Sequence, residues 1–168
     1  ELHRRAAAEA GVPVLPGSGD PLSSIEEAQS LASQVGFPVI LKAAAGGGGR
    51  GMRIVRSAAE LEKSFDTASH EAEKAFGDGS VYLEKYLEEP RHIEFQVFGD
   101  RYGEVIHLGE RECSIQRRHQ KLLEESPSPA LTPELRARMG EAAVRLCTHV
   151  GYQNAGTVEF LLDRDGSF

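Results

Sequence analysis

The spacing of apolar residues changes period several times along this 168-residue chain, and each change marks an element. Residues 1–10 read as the end of a helix stopped by Gly11, and GVPVLPGSGDPL is turn-rich, a boundary. Ser24 and Glu27 have capping-box spacing and open a helix to about Val35, closed by Gly36-Phe37-Pro38. Val39-Ile40-Leu41 is a short buried strand, and Met52-Arg53-Ile54-Val55 alternates as a second. Ser57 and Glu60 form another capping box. Leu61, Phe65, Ala68, Ala72 and Phe76 then recur at helical spacing up to Gly77-Asp78-Gly79. Val81–Tyr86 is strand-like. After Pro90, His92, Glu94 and Gln96 alternate with Ile93, Phe95 and Val97, and a turn at 99–103 leads into Glu104–Leu108. Thr132-Pro133 is an N-cap with proline at the first helical position, and Leu135, Met139, Ala142, Ala143 and Leu146 give that helix its apolar face. Gly156–Leu162 is the last strand. Asp165-Gly166 reads as a hairpin turn and Phe168 as the start of a returning strand, which suggests a piece of something longer.

Hairpins outnumber βαβ crossovers, so the fold class is α+β with a mostly antiparallel sheet. Composition narrows the function. A net charge of -7 argues against coating a nucleic acid. No apolar run approaches the roughly 20 residues of a membrane span. Cys113 and Cys147 lie far apart without CxxC spacing and read as reduced thiols of a cytosol-like compartment.

The stretch Lys42–Met52, KAAAGGGGRGM, carries the chemistry. Glycines are costly to order, so a run of them implies a close approach to the backbone. A Walker loop needs Gly-Lys-Ser/Thr at its end, and here Gly51 precedes Met52. Gly46, Gly48 and Gly51 meet the dinucleotide fingerprint literally, but that motif must open a helix and the residues after Gly51 are β-patterned. A kinase loop has the same layout, but no H-R-D or D-F-G follows. What remains is a glycine hairpin between strands whose N–H groups can lie over phosphate oxygens, with Lys42 adding a charge. A purely structural turn is the plain alternative. Farther on, Gln116 to Lys121 form a basic stretch in an acidic chain. Read as one strand, it puts Gln116 and Arg118 on one face, and Arg117, His119 and Lys121 on the other. Glu159 stands between Val158 and Phe160 on the opposite strand face, and a carboxylate in an apolar strand needs a partner, a metal or an arginine.

LKAAAGGGGRGMRIV, VYLEKYLEEPRHIEFQVFGD, ERECSIQRRHQKLLEESPSP and NAGTVEFLLD together resemble biotin carboxylase, an ATP-grasp enzyme that forms part of acetyl-CoA, propionyl-CoA and pyruvate carboxylases. The resemblance covers nearly the whole chain. It implies a truncated ATP-grasp fold: residues 1–14 end an N-terminal domain, 15–87 form the lid subdomain, and 88–168 form the first part of the C-terminal antiparallel-sheet subdomain. It implies that Lys42 binds ATP phosphates, and that Gly46, Gly47, Gly48, Gly49, Arg50 and Gly51 form the lid loop over them. Met52 packs on adenine, and Leu161 is an apolar wall of its pocket. Glu84, Lys85 and Leu87 form the hinge that reads the adenine edge. His92 and Gln116 lie near the ribose, and His119 beside the phosphates. Lys121 lies near bicarbonate, and Glu159 binds the first magnesium (or manganese).

The implied reaction is ATP- and bicarbonate-dependent carboxylation of biotin through carboxyphosphate. Its partners are a biotin carboxyl carrier protein or domain and a carboxyltransferase. The implied parent is a homodimer of the cytoplasm, or of the mitochondrial matrix, with fatty acid biosynthesis as one setting. The family has a further phosphate-binding lysine before residue 1, and a second metal-binding glutamate and an E-x-N-x-R segment after Phe168. These 168 residues alone are therefore expected not to turn over. Another ATP-grasp ligase, such as the large subunit of carbamoyl-phosphate synthetase, and a non-catalytic nucleotide-binding module are the alternatives.

Overall fold

The computed structural model describes residues 2–46, 51–118 and 120–168. In chain order the elements are α1 (Leu2–Glu9), α2 (Ile25–Val35), β1 (Val39–Ala43), β2 (Met52–Val55), α3 (Ala58–Phe76), β3 (Val81–Lys85), β4 (Arg91–Gly99), β5 (Val105–Arg117), β6 (Gln120–Glu125), α4 (Pro133–His149) and β7 (Asn154–Leu162). They form two compact units, Leu15–Glu88, and Leu2–Val14 together with Glu89–Phe168.

The first unit is a three-stranded antiparallel sheet in the order β2-β1-β3, with α2 and α3 on one face. Val39, Leu41, Val55, Val81 and Leu83 point into that layer and meet Ala28, Ala32, Leu61 and Ala68. Period-2 alternation then sends Ile40 and Lys42 to the other face. The caps differ from the expected boxes. Ser24 Oγ does accept from Glu27 N, at 3.3 Å, but the Glu27 carboxylate reaches Ser23 N and Oγ rather than Ser24. Ser57 makes no side-chain cap bond, and Glu60 accepts from Arg56 N instead. Each carboxylate thus satisfies a donor one residue earlier than a capping box uses. Phe76, expected on the apolar face of α3, is 37% exposed, its ring edge lying near Gly51.

The second unit is a four-stranded antiparallel sheet in the order β6-β5-β4-β7. α4 covers one face, its Met139, Ala142 and Ala143 lying with Ile93, Phe95, Val97 and Phe160 in one core that also takes Ala7 and Val12. Thr132 Oγ1 accepts from Leu135 N, so the expected N-cap forms. Two readings of this region change. The stretch from Gln116 to Lys121 is not one strand: β5 ends at Arg117, Arg118 takes a positive φ of 51°, and β6 returns antiparallel. Gln116 is therefore opposite Lys121, and directly paired residues share a face. At the other end, Asp163–Ser167 is a tight turn closed by Asp163 N to Ser167 O. Phe168 belongs to no strand; its ring packs edge-on against Phe160 at 5.5 Å. Among the described residues no helix is long and apolar enough to cross a membrane.

Candidate nucleotide and bicarbonate site

In the first unit, the sheet face away from the helices carries two rows of side chains. Met52, Lys42 and Tyr82 are cross-strand partners in one, and Ile54, Ile40 and Glu84 in the other. Met52 and Ile54 are 36% and 40% exposed, which leaves an apolar shelf beside charge. Lys42 Nζ donates to Glu84 Oε2 at 2.5 Å. The residue after the loop fixes the hairpin. Gly51 has φ 74°, a Cβ there would stand 2.7 Å from Ala43 Cβ, and Gly51 O accepts from Ala43 N. Only glycine suits that position. Gly46 N donates to Ala43 O, tightening the turn from the other side. The strand after Gly51 is the β-pattern that argued against a dinucleotide fingerprint. Gly47, Gly48, Gly49, Arg50 and His119 lie outside the described residues.

The expected hinge residues divide by role. Glu84 faces the shelf. Lys85 turns its ammonium to the carbonyls of Gly36 and Phe37, at 2.9 and 3.1 Å, capping the end of α2. Leu87 lies half-buried just after β3. Sequence reasoning passed over Ile40 and Ile54 as site residues; the row in which Ile40 pairs with Ile54 on one side and Glu84 on the other appears only with the register.

In the second unit, the sheet face away from α4 holds one connected polar network. Gln116 Nε2 donates to His92 Nδ1 and to the Cys113 carbonyl. The other ring nitrogen of His92, Nε2, stands 3.5 Å from Glu159 Oε2. Glu159 Oε1 accepts from Lys121 Nζ at 2.8 Å, and Lys121 also donates to Glu94 Oε2. Arg111 completes the chain, bonding Glu94 Oε1 through Nε at 2.9 Å and Nη2 at 2.5 Å, and Gln96 through Nη1. Four expected residues, His92, Gln116, Lys121 and Glu159, thus meet, and Leu161 is the cross-strand partner of His92 on the same face. Glu159 is not buried in an apolar strand, as its flanks suggested: its side chain is 52% exposed and its partners are a lysine and a histidine.

Glu94 and Arg111 are the members that sequence reasoning missed. The side chain of Glu94 is only 4% exposed. Burial works to raise its pKa, but the bonds from Lys121 and Arg111 outweigh it and hold the carboxyl below its usual range. Burial likewise works to lower Lys121, but Glu159 and Glu94 overcome it and keep the ammonium charged well above its ordinary range. The missed signal was a glutamate on the polar side of an alternating strand, which looks like surface until the sheet gives it neighbours.

Glu159 offers a hard divalent cation an accessible carboxylate, whereas Glu94, opposite it, is buried and held by Arg111 and Lys121. Glu94, Cys113 and Glu124 also cluster at metal-like spacing. They fit a metal poorly: Arg111 holds both carboxylates, and the thiol is pushed up to about 11 by burial first and then by Glu94 and Glu124.

The family model for the carbamoyl-phosphate synthase L chain, ATP binding domain, matches residues 1–168. Biotin carboxylase 2, chloroplastic, of Populus trichocarpa is 59% identical over 165 residues, 98% of this chain and 31% of the relative. A biotin carboxylase from Campylobacter jejuni, solved as a β,γ-ATP complex, superposes with a TM-score of 0.93 at 55% identity, over 98% of this chain and 37% of that one. The biotin carboxylase domain of Hydrogenobacter thermophilus 2-oxoglutarate carboxylase, solved as a dimer with MgADP, ADP and bicarbonate, gives 0.91 at 54% identity, over 98% and 36%. The chain spans about a third of the length of these relatives. With its two antiparallel α+β units and this match along its whole length, the chain belongs to the carbamoyl-phosphate synthase L chain ATP-binding domain family, has the ATP-grasp fold, and is a homologue of biotin carboxylases.

Proposed function

We propose that this chain supplies the nucleotide- and bicarbonate-handling residues of an ATP-dependent biotin carboxylase. The observation that carries the reading is the gathering of His92, Gln116, Lys121 and Glu159 into one network on one sheet face. In the first unit, the Met52–Ile54–Ile40 shelf would take the flat face of adenine. Glu84, with backbone groups near Lys85 and Leu87, would read its edge. Lys42 and the amides of residues 46–51 would hold the phosphates. An ammonium has three donors, so Lys42 can keep Glu84 and still bind phosphate oxygen.

In the second unit, Glu159 would hold a magnesium ion, which would neutralise phosphate charge during transfer. Lys121 would hold bicarbonate through charge-assisted hydrogen bonds, and His119 would serve the phosphates. His92 and Gln116 would contact the ribose, and Leu161 would add an apolar wall for the base. Bicarbonate would then attack the γ-phosphorus of ATP and ADP would leave; the resulting carboxyphosphate would split into CO2 and inorganic phosphate, the phosphate would take the ureido proton of a carrier-bound biotin, and the deprotonated nitrogen would add to CO2. A carboxyltransferase would consume the product, and the Hydrogenobacter relative's dimer supports a dimeric assembly. The cytoplasm or mitochondrial matrix fits this chemistry; the Populus relative is described as chloroplastic.

The test is calorimetric titration with a non-hydrolysable ATP analogue and magnesium. Lys42→Ala and Glu159→Gln should each weaken binding at least tenfold, and the reading fails if neither does. In the longer parent enzyme, turnover with biotin rather than ammonia as acceptor separates it from carbamoyl-phosphate synthesis.

A further inference from the structure

Glu94 and Glu159 are direct partners on adjacent antiparallel strands, a position in which like charges repel. Lys121 bridges them, one donor to each. The two carboxylates are unequal. Glu94 is buried and has Arg111 as a second cation. Glu159 is 52% exposed, and among the described residues its charged or polar partners are Lys121 and the His92 ring, whose Nε2 lies at 3.5 Å. An ammonium therefore occupies the position of a cation at the very carboxylate assigned above to the metal.

We propose that Lys121 is the resident counter-ion of Glu159, and that a divalent cation arriving at Glu159 displaces it. The inference rests on the metal reading of Glu159. A divalent ion on either oxygen of that carboxylate stands within a few ångström of the ammonium, where like charges oppose each other strongly. The lysine is not lost from the site, because Glu94 retains it, and Arg111 fixes Glu94. The donor released from Glu159 becomes free for an anion. Metal binding and anion capture by Lys121 are then coupled, and the coupling is reciprocal. With metal in place, Lys121 has two donors for an anion instead of one, so the metal strengthens anion capture.

The experiment counts protein-bound Mn2+ by electron paramagnetic resonance on the intact protein, with ADP saturating. Lys121→Met removes the competing cation and should tighten Mn2+ binding about fivefold, the scale of a part-exposed ion pair. A merely structural lysine would leave the affinity unchanged or weaken it, and either result overturns the proposal. Glu159→Gln separates the two levels. If it abolishes Mn2+ binding while Lys121→Met has no effect, the metal assignment stands and the exchange is wrong. If Glu159→Gln binds Mn2+ like the wild type, both fall. A second readout needs no disruptive variant: the 15N-detected ammonium signal of Lys121, assigned with Lys121→Arg, should shift and exchange faster with water on adding Mg2+. A signal unmoved by saturating Mg2+ refutes displacement.

Discussion

Replacing Glu94 by glutamine keeps the side-chain shape and removes one buried charge, so it isolates the electrostatic part of the network. In the native protein this carboxylate accepts three charge-assisted bonds, two from Arg111 and one from Lys121. Charged hydrogen bonds are worth about 1.5–3 kcal/mol and neutral ones about 0.5–1.5. Glutamine keeps one acceptor oxygen, so with that oxygen toward Arg111 two bonds are downgraded and the one from Lys121 is lost, which gives about 4 kcal/mol. The loss is softened because both cations keep a second carboxylate: Lys121 retains Glu159 at 2.8 Å, and Arg111 retains Glu124 at 3.2 Å. We therefore expect Glu94→Gln to lower stability by about 2 kcal/mol at pH 7 in urea unfolding, less than the 3–5 kcal/mol typical when a buried charge is left wholly unpaired. The pH dependence follows from the depressed carboxyl. Its folded pKa lies below the ordinary 4.5. The stabilisation is thus fully present above about 4.5 and is lost as pH falls through the folded value. The gap between wild type and variant should be constant from pH 8 to 5 and should close in stronger acid. A gap under about 0.5 kcal/mol at neutral pH, or one that persists undiminished where Glu94 is protonated, would refute the reasoning.

Gly156→Ala should cost about 2 kcal/mol in the same assay. Its Cβ would stand 2.2 Å from Tyr152 Oη, which donates to the Ala155 carbonyl. In a Tyr152→Ala background the same change should cost almost nothing, and an undiminished cost would contradict the clash. Cys113 is fully buried, with its thiol pushed up to about 11 by burial first and then by Glu94 and Glu124. Its iodoacetamide labelling at pH 8 should track urea unfolding, and rapid labelling of the folded protein would show this thiol to be reactive.

Most elements were legible in the chain because their signals are local. The caps at Ser24 and Thr132, the strand alternation in β2 and β4, and the glycines at 11, 36 and 77 each act within a few residues. The same holds for the β-pattern after Gly51, which excluded a helix there. The errors came where a local pattern admitted two outcomes. Gln116 to Lys121 alternates acceptably as a strand, and a positive φ at Arg118 turns it into a hairpin that puts Gln116 and Lys121 on one face. Ser57 and Glu60 have the spacing of a capping box, yet the carboxylate reaches Arg56 N.

The sequence by itself determined most of the secondary structure, the antiparallel class and, through its motifs, the family. It also nominated Lys42, Lys121 and Glu159 as site residues. Only the tertiary structure decided who holds them. Lys42 meets Glu84 across 42 positions of chain, and Lys121 meets Glu94 and Glu159 across 27 and 38. Strand register sets these pairings, and register is fixed by the hydrophobic face of a whole sheet, which no short window of residues contains. Glu94 shows the difference most plainly: along the chain it is one polar position in an alternating strand, and in the folded sheet it is a buried anion that two cations keep charged.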